Sequence, residues 1–490
     1  MELRKREVVS AINQTGSTWV PVGENDKIGS DLVVRKHNGK KYATHPWYQR
    51  SEKNCARMIV RYLKEYAVDV KAVERIIAEF EASEGIKLAD EQREGVYMMC
   101  RHRFCILTGG PGTGKTSVLK CGAKVLKTLN PNYFLAFSAP TGKASRRITE
   151  GTGYPATTIQ KKIHDTGRSD YLLPIADDVM FLDEISMLDL ETFEKFLMCV
   201  SNHTRVILVG DVDQLPSVGA GAVLRDLIDS NVLPVTQLEK TFRQDNSSVL
   251  FENIQVVKKG GYVPLFEGSD FKRIKSERNV FETCVSEYLK ALKEYGMENT
   301  VILTPYRKAG TVCSEKLNTV LQEKVNPNGY GFTKTVNRDG RKLRITFKEG
   351  DPVIHLRNRD GIANGDVGVI TEITEKAVIV NYSDTLFKYR TGGSDLDDLD
   401  LAYALSVNKS QGSEYKCVIT PLLRENKNLD RNMVYTAITR AKKMCVVIGE
   451  DRIIQDACKI QSSWERDTFL CEELQVKSKV VDLMATILAM

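Results

Sequence analysis

Short continuous apolar runs recur along this chain, separated by stretches whose apolar residues fall at helical spacing. Phe104-Cys-Ile-Leu107, Tyr133 to Ser138, Val179-Met-Phe-Leu182 and Arg205 to Val209 have the unbroken hydrophobicity of strands buried on both faces. Between the first two, Ser117 to Thr128 places Val118, Cys121, Val125 and Leu126 on one side of a helix. Alternation of this kind predicts a parallel, doubly wound sheet whose ligands lie at the carboxyl ends of its strands. A second set, Val301-Ile-Leu-Thr304, Cys417-Val-Ile-Thr420 and Met444-Cys-Val-Val-Ile448, predicts a second sheet. Between its strands, residues 326 to 395 change character, with Gly329, Gly331, Gly340, Gly350, Gly361, Gly365 and Gly368 punctuating short β-type runs. Val367 to Thr374 and Lys376 to Tyr382 are expected to pair as a hairpin inside a small inserted β-barrel.

Upstream of the first strand, Ala56 to Tyr66 and Val70 to Ser83 have helical spacing, so residues 1 to 85 are read as a small helical domain. Leu88 to Val96 begins another helix, with Asp90 as its expected N-cap. The expected boundaries are 1–85, a first α/β domain over 86–245, a second over 246–325 and 396–455, the β insertion over 326–395, and a helical tail over 456–490. The acidic run Asp395-Leu-Asp-Asp-Leu-Asp400 reads as a solvated loop before a strand.

Composition narrows the class only a little. With 490 residues the chain exceeds one ordinary core. Its net charge of +6, from 70 basic and 64 acidic residues, is compatible with a polyanion but too mild to argue for one. The eleven cysteines form no C-x-x-C pair and mostly sit in apolar runs, which favours reduced, buried thiols in a cytoplasmic protein, or in a phage- or plasmid-encoded one acting in the host cytoplasm, over disulfides or a metal site. The six histidines lack zinc-site spacing, and no stretch has the length and apolarity of a membrane span.

The chemistry is carried by Gly109-Gly-Pro-Gly-Thr-Gly-Lys-Thr116, a Walker A pattern set between a strand and a helix. In such a loop Gly110, Pro111, Gly112, Thr113, Gly114 and Ser117 frame the phosphates with backbone N–H groups. Lys115 adds a cation near the β and γ phosphates, and the Thr116 hydroxyl can ligate Mg²⁺. The third strand ends in Asp183-Glu184, the place of a Walker B pair. Asp183 is expected to hold Mg²⁺ and Glu184 to orient or deprotonate the attacking water. Gln214, in the turn after Val209, is placed to sense the γ-phosphate. Arg243, in Phe242-Arg-Gln244, and Arg440 are candidates to neutralise charge on the transferred phosphate. Taken singly, each arginine is more often a surface residue.

Together these stretches resemble a superfamily 1 helicase of the RecD-like, 5′-to-3′ branch. The resemblance covers about Leu88 to Glu450. It rests on the Walker A loop, Ala139-Pro-Thr-Gly-Lys-Ala144, Asp183 to Ser186, Gly210 to Leu227, Phe242-Arg-Gln244, Tyr403-Ala-Leu-Ser-Val-Asn-Lys-Ser-Gln-Gly-Ser-Glu414 and Tyr435 to Lys442. It implies two RecA-like P-loop domains, an inserted SH3-like β-barrel and a helical N-terminal domain. It also implies that ATP and Mg²⁺ are used, that Gln92 reads adenine, and that Gln214, Arg243 and Arg440 couple the γ-phosphate to domain closure. Gly412 and Glu414 approach the nucleotide by the same analogy. Pro140, Thr141 and Lys143, with Asn408, Lys409 and Ser410, match single-strand contacts, a set of amides, hydroxyls and lysines suited to phosphodiesters without sequence readout.

Three departures accompany the match. Thr158-Ile-Gln160 stands where the family commonly has Thr-Ile-His, and Val407-Asn-Lys-Ser410 where it has Val-His-Lys-Ser. The stretch Ile163 to Val179 is short where the family carries a wedge hairpin. The insertion offers a substitute, with Tyr330, Phe332 and Phe347 beside Lys334, Arg338, Arg341, Lys342 and Arg344, although aromatics of this kind equally fill a small barrel. The expected function is an ATP-driven 5′-to-3′ helicase and translocase on single-stranded DNA and on single-strand/duplex junctions. The alternatives are an ATP-dependent nucleic-acid-binding switch or loading subunit, and the ATPase partner of a nuclease, docked through the N-terminal region or the tail.

Overall fold

The strands that the apolar runs predict are present in a computed structural model describing residues 2–165, 174–242, 248–260, 265–276, 278–338, 340–359, 362–382, 385–423, 429–461 and 465–489. The chain folds into two units, one of residues 1–140, 144–243 and 462–490, the other of residues 141–143 and 244–461.

The first unit is built on a six-stranded parallel sheet. Its spatial order is Val235–Leu238, Phe104–Gly109, Arg205–Gly210, Val179–Leu182, Leu135–Ala139, Ala156–Thr158. In the central strands side chains alternate between two buried cores, which is why their apolar runs are unbroken, whereas the edge strand Val235–Leu238 alternates exposed and buried. Phe104, Ile106, Met180, Leu182, Val206 and Leu208 face one core with the helices Pro46–Tyr62 and Leu190–Cys199. Cys105, Leu107, Val179, Phe181, Ile207 and Val209 face the other, with Val70–Glu84 and Lys115–Leu129. The C-terminal helix Leu470–Ala489 joins the first core through Leu470 and Leu474.

The N-terminal expectation needs correction. Residues up to 85 hold the helices Lys5–Thr15, Pro46–Tyr62 and Val70–Glu84, but also a three-stranded antiparallel sheet in the order Val20–Val22, Lys40–Thr44, Val33–His37. Glu2–Leu3 pairs with Lys27–Ile28 as well. The overlooked signal is Asn38-Gly39, with φ of 48° and 73°, the dipeptide that closes a two-residue hairpin. The two longer helices pack on the two faces of the six-stranded sheet, with Cys55 and Ile59 in one core and Val73 and Ile76 in the other.

The second unit has a five-stranded parallel sheet in the order Phe271–Ile274, Ala441–Ile448, Tyr415–Pro421, Thr300–Thr304, Ala404–Ser406. Its first and last strands are short and carry charge or border a turn, so the apolar pattern missed them. Residues 331–401 form an antiparallel sheet in the order Thr385–Arg390, Ala377–Tyr382, Val367–Ile373, Pro352–His355, Leu399–Leu401, together with the hairpin Gly331–Arg338/Arg341–Lys348. The expected pairing of Val367–Ile373 with Ala377–Tyr382 is present, with a bulge between Ile370 and Glu372. Phe347 is fully buried in this core and Phe332 packs against it, leaving Tyr330, 62% exposed, as the one available aromatic of the three. The acidic run is not a solvated loop. Asp395–Asp398 is a 3-10 turn in which Asp395 and Asp398 are buried and bridge to Arg357, Arg359 and Arg390.

Candidate functional site

The carboxyl ends of the first sheet collect the sequence motifs. The loop after Phe104–Gly109 turns through Gly112 and Gly114 at φ of 77° and 83°, a left-handed backbone that glycine adopts without strain, and Gly114 then caps the helix Lys115–Leu129. That helix presents its free N–H groups and positive end to the loop, an arrangement that suits an anion. Lys115 Nζ donates to the carbonyls of Gly109 and Gly110 at 2.6 and 3.0 Å, and Thr113 Oγ1 donates to Gly110 O at 2.8 Å. Gly110 and Pro111 lie half-buried in the same turn, Thr116 is exposed on the first helical turn, and Ser117 follows half-buried.

Gln92 lies on the helix Asp90–Arg101, whose N-cap is Ala89 and not Asp90. Its buried amide bridges two segments: Oε1 accepts from Ala89 N at 3.0 Å and Nε2 donates to Thr113 O at 2.9 Å. Beside it opens a cavity of about 500 Å³ lined by Lys87, Leu88, Ala89, Asp90, Glu91, Lys240 and Phe242. Phe242 is 48% exposed there, its N–H donates to Gly112 O at 2.8 Å, and Lys240 Nζ stands 5.6 Å from the ring centre. The sequence named Phe242 only as a neighbour of Arg243. Its place against the Gly109–Thr116 loop, signalled by an aromatic just past the strand Val235–Leu238, leaves a half-exposed ring on the cavity wall, a surface suited to a planar group. Arg243 itself lies outside the described residues.

Asp183 and Glu184 follow the strand Val179–Leu182. Asp183 N–H donates to Ser138 O at 2.9 Å, and its Oδ1 accepts from Glu184 N at 2.8 Å. Glu184 has φ of 54°, a backbone that places it off the strand direction at the sheet edge. Burial, and then the Glu184 charge, push the Asp183 carboxyl up to about 6 against the opposing pull of Lys115 and Arg147. Lys115, at the start of its helix, and Asp183, just past its strand, therefore lie close enough to act on one another. Arg147, on the helix Gly142–Thr152, was not singled out from sequence; it lies four residues past Lys143 on the helix that the motif opens.

Gln214 is buried in the turn after Arg205–Gly210, its N–H donating to Asp211 O at 3.3 Å and its Nε2 to Asp211 Oδ2 at 3.4 Å. Pro140 ends the strand Leu135–Ala139, and Thr141 and Lys143, both half-buried, border the start of the next helix. Thr158 Oγ1 accepts from Lys161 N at 3.2 Å, and Gln160 is exposed.

The second unit holds the remaining candidates close together. Val407–Ser410 is a 3-10 turn in which Asn408 is exposed, Lys409 Nζ donates to Asn364 Oδ1 at 2.9 Å and Ser410 Oγ donates to Val407 O at 2.7 Å. Gly412 takes φ of 71°, and Glu414 pairs with Lys442 at 2.8 Å. Arg440, at the end of the helix Arg431–Thr439, is buried, with Nε donating to Thr436 O at 3.2 Å and Nη1 to Ser413 O at 3.2 Å. Among the described residues no group of three or more His, Cys, Asp or Glu could hold a metal ion. All eleven cysteines are free and ten are buried.

Comparison with known proteins agrees with this distribution of motifs. A family described as an AAA domain matches residues 87–262, and one described as a UvrD-like helicase C-terminal domain matches residues 401–448. The ATP-dependent RecD2 DNA helicase of Deinococcus radiodurans is 30% identical over 88% of this chain and 58% of its own length. The RecBCD enzyme subunit RecD of Mycolicibacterium smegmatis is 29% identical over 76% of this chain and 73% of its own. A solved Bacteroides Pif1 helicase, in complex with ADP-AlF3 and single-stranded DNA, aligns with a TM-score of 0.49 at 16% identity, over 81% of this chain and 98% of that one. The chain thus spans a little over half the length of the RecD2 relative.

Proposed function

We propose, from a chain related to the RecD-like branch of superfamily 1 helicases, that it is an ATP-dependent DNA helicase translocating 5′-to-3′ on single-stranded DNA. The observation that carries this is the convergence of Lys115 and Asp183-Glu184 at one sheet edge, since a grip on nucleic acid alone needs no hydrolytic group. The Walker A amides and Lys115 hold the phosphates, and Glu184 orients the attacking water and takes its proton as ATP is split to ADP and phosphate. Gln92 and Phe242 flank the cavity for the base. Thr116 and Asp183 fit Mg²⁺, because a hydroxyl and a carboxylate leave the other positions to phosphate and water oxygens, as this ion prefers; bound there, it neutralises charge on the transferred phosphate.

In this reading Gln214, Arg243 and Arg440 sense that charge, and hydrolysis alternately closes and opens two RecA-like units. Pro140, Thr141, Lys143, Asn408, Lys409 and Ser410 hold the strand, Gly412 and Glu414 serve the nucleotide, and the insertion over residues 326–395 forms an SH3-like barrel that aids separation of duplex. In the same reading the chain acts on DNA in the cytoplasm. A second reading, motor subunit beside a nuclease, draws on the relatives named as RecBCD subunits.

Steady-state ATP turnover with and without oligonucleotide tests the proposal. Strong stimulation by single-stranded DNA, abolished in Glu184→Gln, is expected. Equal rates with and without DNA would overturn it.

A further inference from the structure

The loop that carries Gln214 is gripped from behind by a residue some 250 positions later in the chain. After Gly210 the loop runs to Gly221, and its second half lies against the segment leaving Asp183-Glu184. Leu190 N donates to Ala220 O at 3.0 Å, and a Cβ on Gly219 would stand 2.5 Å from Asp189 Oδ2. Arg466 holds the same residues. Its Nη1 donates to Ser217 Oγ at 3.1 Å, Gly219 O at 3.2 Å and Gly221 O at 2.7 Å, and its Nη2 donates to Ser217 O at 2.6 Å. A planar fork meets several fixed acceptors at once; a lysine ammonium, a point donor on a flexible stem, cannot reproduce that geometry.

The guanidinium has a purpose-shaped seat. Gly16 has φ of 71°, and a Cβ there would stand 2.5 Å from Arg466 Cζ, while Gly16 O accepts from Gly221 N at 2.8 Å. The flanking backbone is fixed in turn. Asp467 N donates to Ser17 Oγ at 3.0 Å, Asp467 O accepts from Thr18 N and Trp19 N, both at 3.0 Å, and Arg466 O accepts from Arg225 Nη2 at 3.2 Å. Within Ser217 to Gly221 the one large side chain, Val218, is 83% exposed, and Ser217 Oγ donates to Gly219 O at 2.9 Å, so Arg466 adds the side-chain bonds that tie this half of the loop to the rest of the unit.

We propose that Arg466 is a positioning residue for the γ-phosphate response. Acting through Ser217 to Gly221, it sets the loop that presents Gln214 against the Asp183-Glu184 segment, so that the site distinguishes ATP from ADP. The proposal rests on the assignment of Gln214 as the γ-phosphate sensor.

Full-length Arg466→Ala and Arg466→Lys test it by two readouts: binding of ADP with and without aluminium fluoride, and ATP turnover at saturating single-stranded DNA. Arg466→Ala should keep ADP affinity within about twofold, yet lose about tenfold or more both in turnover and in the extra affinity conferred by aluminium fluoride. Arg466→Lys should fall between, and added guanidinium ion should partly restore the alanine variant. Unchanged turnover, or an equal loss of plain ADP binding, would overturn the proposal. Should Arg466→Ala not fold, Arg466→Lys decides alone by the same two criteria. Gln214→Ala separates the two levels: normal turnover there defeats the sensor assignment itself, whereas an inactive Gln214→Ala beside normal Arg466 variants defeats only the role of Arg466.

Discussion

Replacing Gln92 by alanine isolates what one buried amide contributes to nucleotide binding. The side chain spends its Oε1 on Ala89 N and one Nε2 hydrogen on Thr113 O. An amide has two donors and two acceptor sites, so one of each remains to face an adenine edge. In Gln92→Ala the Ala89 N–H borders the cavity of about 500 Å³ and can be hydrated from it at little cost. Thr113 is buried, and its carbonyl loses its partner. An orphaned buried acceptor costs about 1–3 kcal/mol, and the lost pairing to the base adds about 1 kcal/mol. Part of the first term falls on the order of the empty loop, so the expected loss in ADP affinity is about 10- to 100-fold. The second term should also flatten the preference for ATP over GTP. Isothermal titration with ADP and GDP measures both. ADP binding unchanged in Gln92→Ala would refute the bridge, and weakened binding with purine preference intact would refute the reading of the base.

Other substitutions probe the chemistry, the fold and the DNA contacts separately. Lys115→Ala should weaken Mg-ATP binding, whereas Glu184→Gln should bind Mg-ATP and DNA normally while turnover collapses; normal turnover in Glu184→Gln would remove the Asp183-Glu184 assignment. Glu52 is buried where Thr18, Trp19 and Phe469 donate to it, and burial raises its carboxyl from 4.5 to about 7. Because the folded state binds this proton more tightly than the unfolded chain, stability should fall by about 3 kcal/mol as pH rises from 4.5 through 7. Glu52→Gln should flatten that slope in thermal melts, and an identical slope would contradict the burial argument. Single-strand affinity should be tolerant of sequence and fall steeply with salt, because the contacts go to phosphates and release counterions; a flat salt titration would refute it.

The parts of the fold written as repeated apolar runs were legible, because a strand buried on both faces has to be hydrophobic throughout, as Val179–Leu182 and Arg205–Gly210 are. Elements specified by one dipeptide or by distant packing were not. The Val33–Thr44 hairpin hangs on Asn38-Gly39, and its strands are too polar to announce themselves. Asp395 and Asp398 looked solvated because the arginines that bury them, Arg357 and Arg359, come some forty positions earlier. The turn from Gly109 to Thr116 between a strand and a helix was legible, since its conformation is local and its glycines mark it. Phe242, Arg147 and Arg466 were not: each gains its meaning from a neighbour brought near only by the folded sheet or by the return of the tail.

Strand displacement on two otherwise identical partial duplexes, one with a 5′ and one with a 3′ single-stranded overhang, tests the motor assignment most directly. With Mg-ATP the wild-type chain should open the 5′-tailed duplex and leave the 3′-tailed one closed, and Glu184→Gln should open neither. Efficient opening of the 3′-tailed duplex would contradict the polarity. Tight DNA binding with DNA-independent ATP turnover and no displacement of either strand would contradict the motor itself.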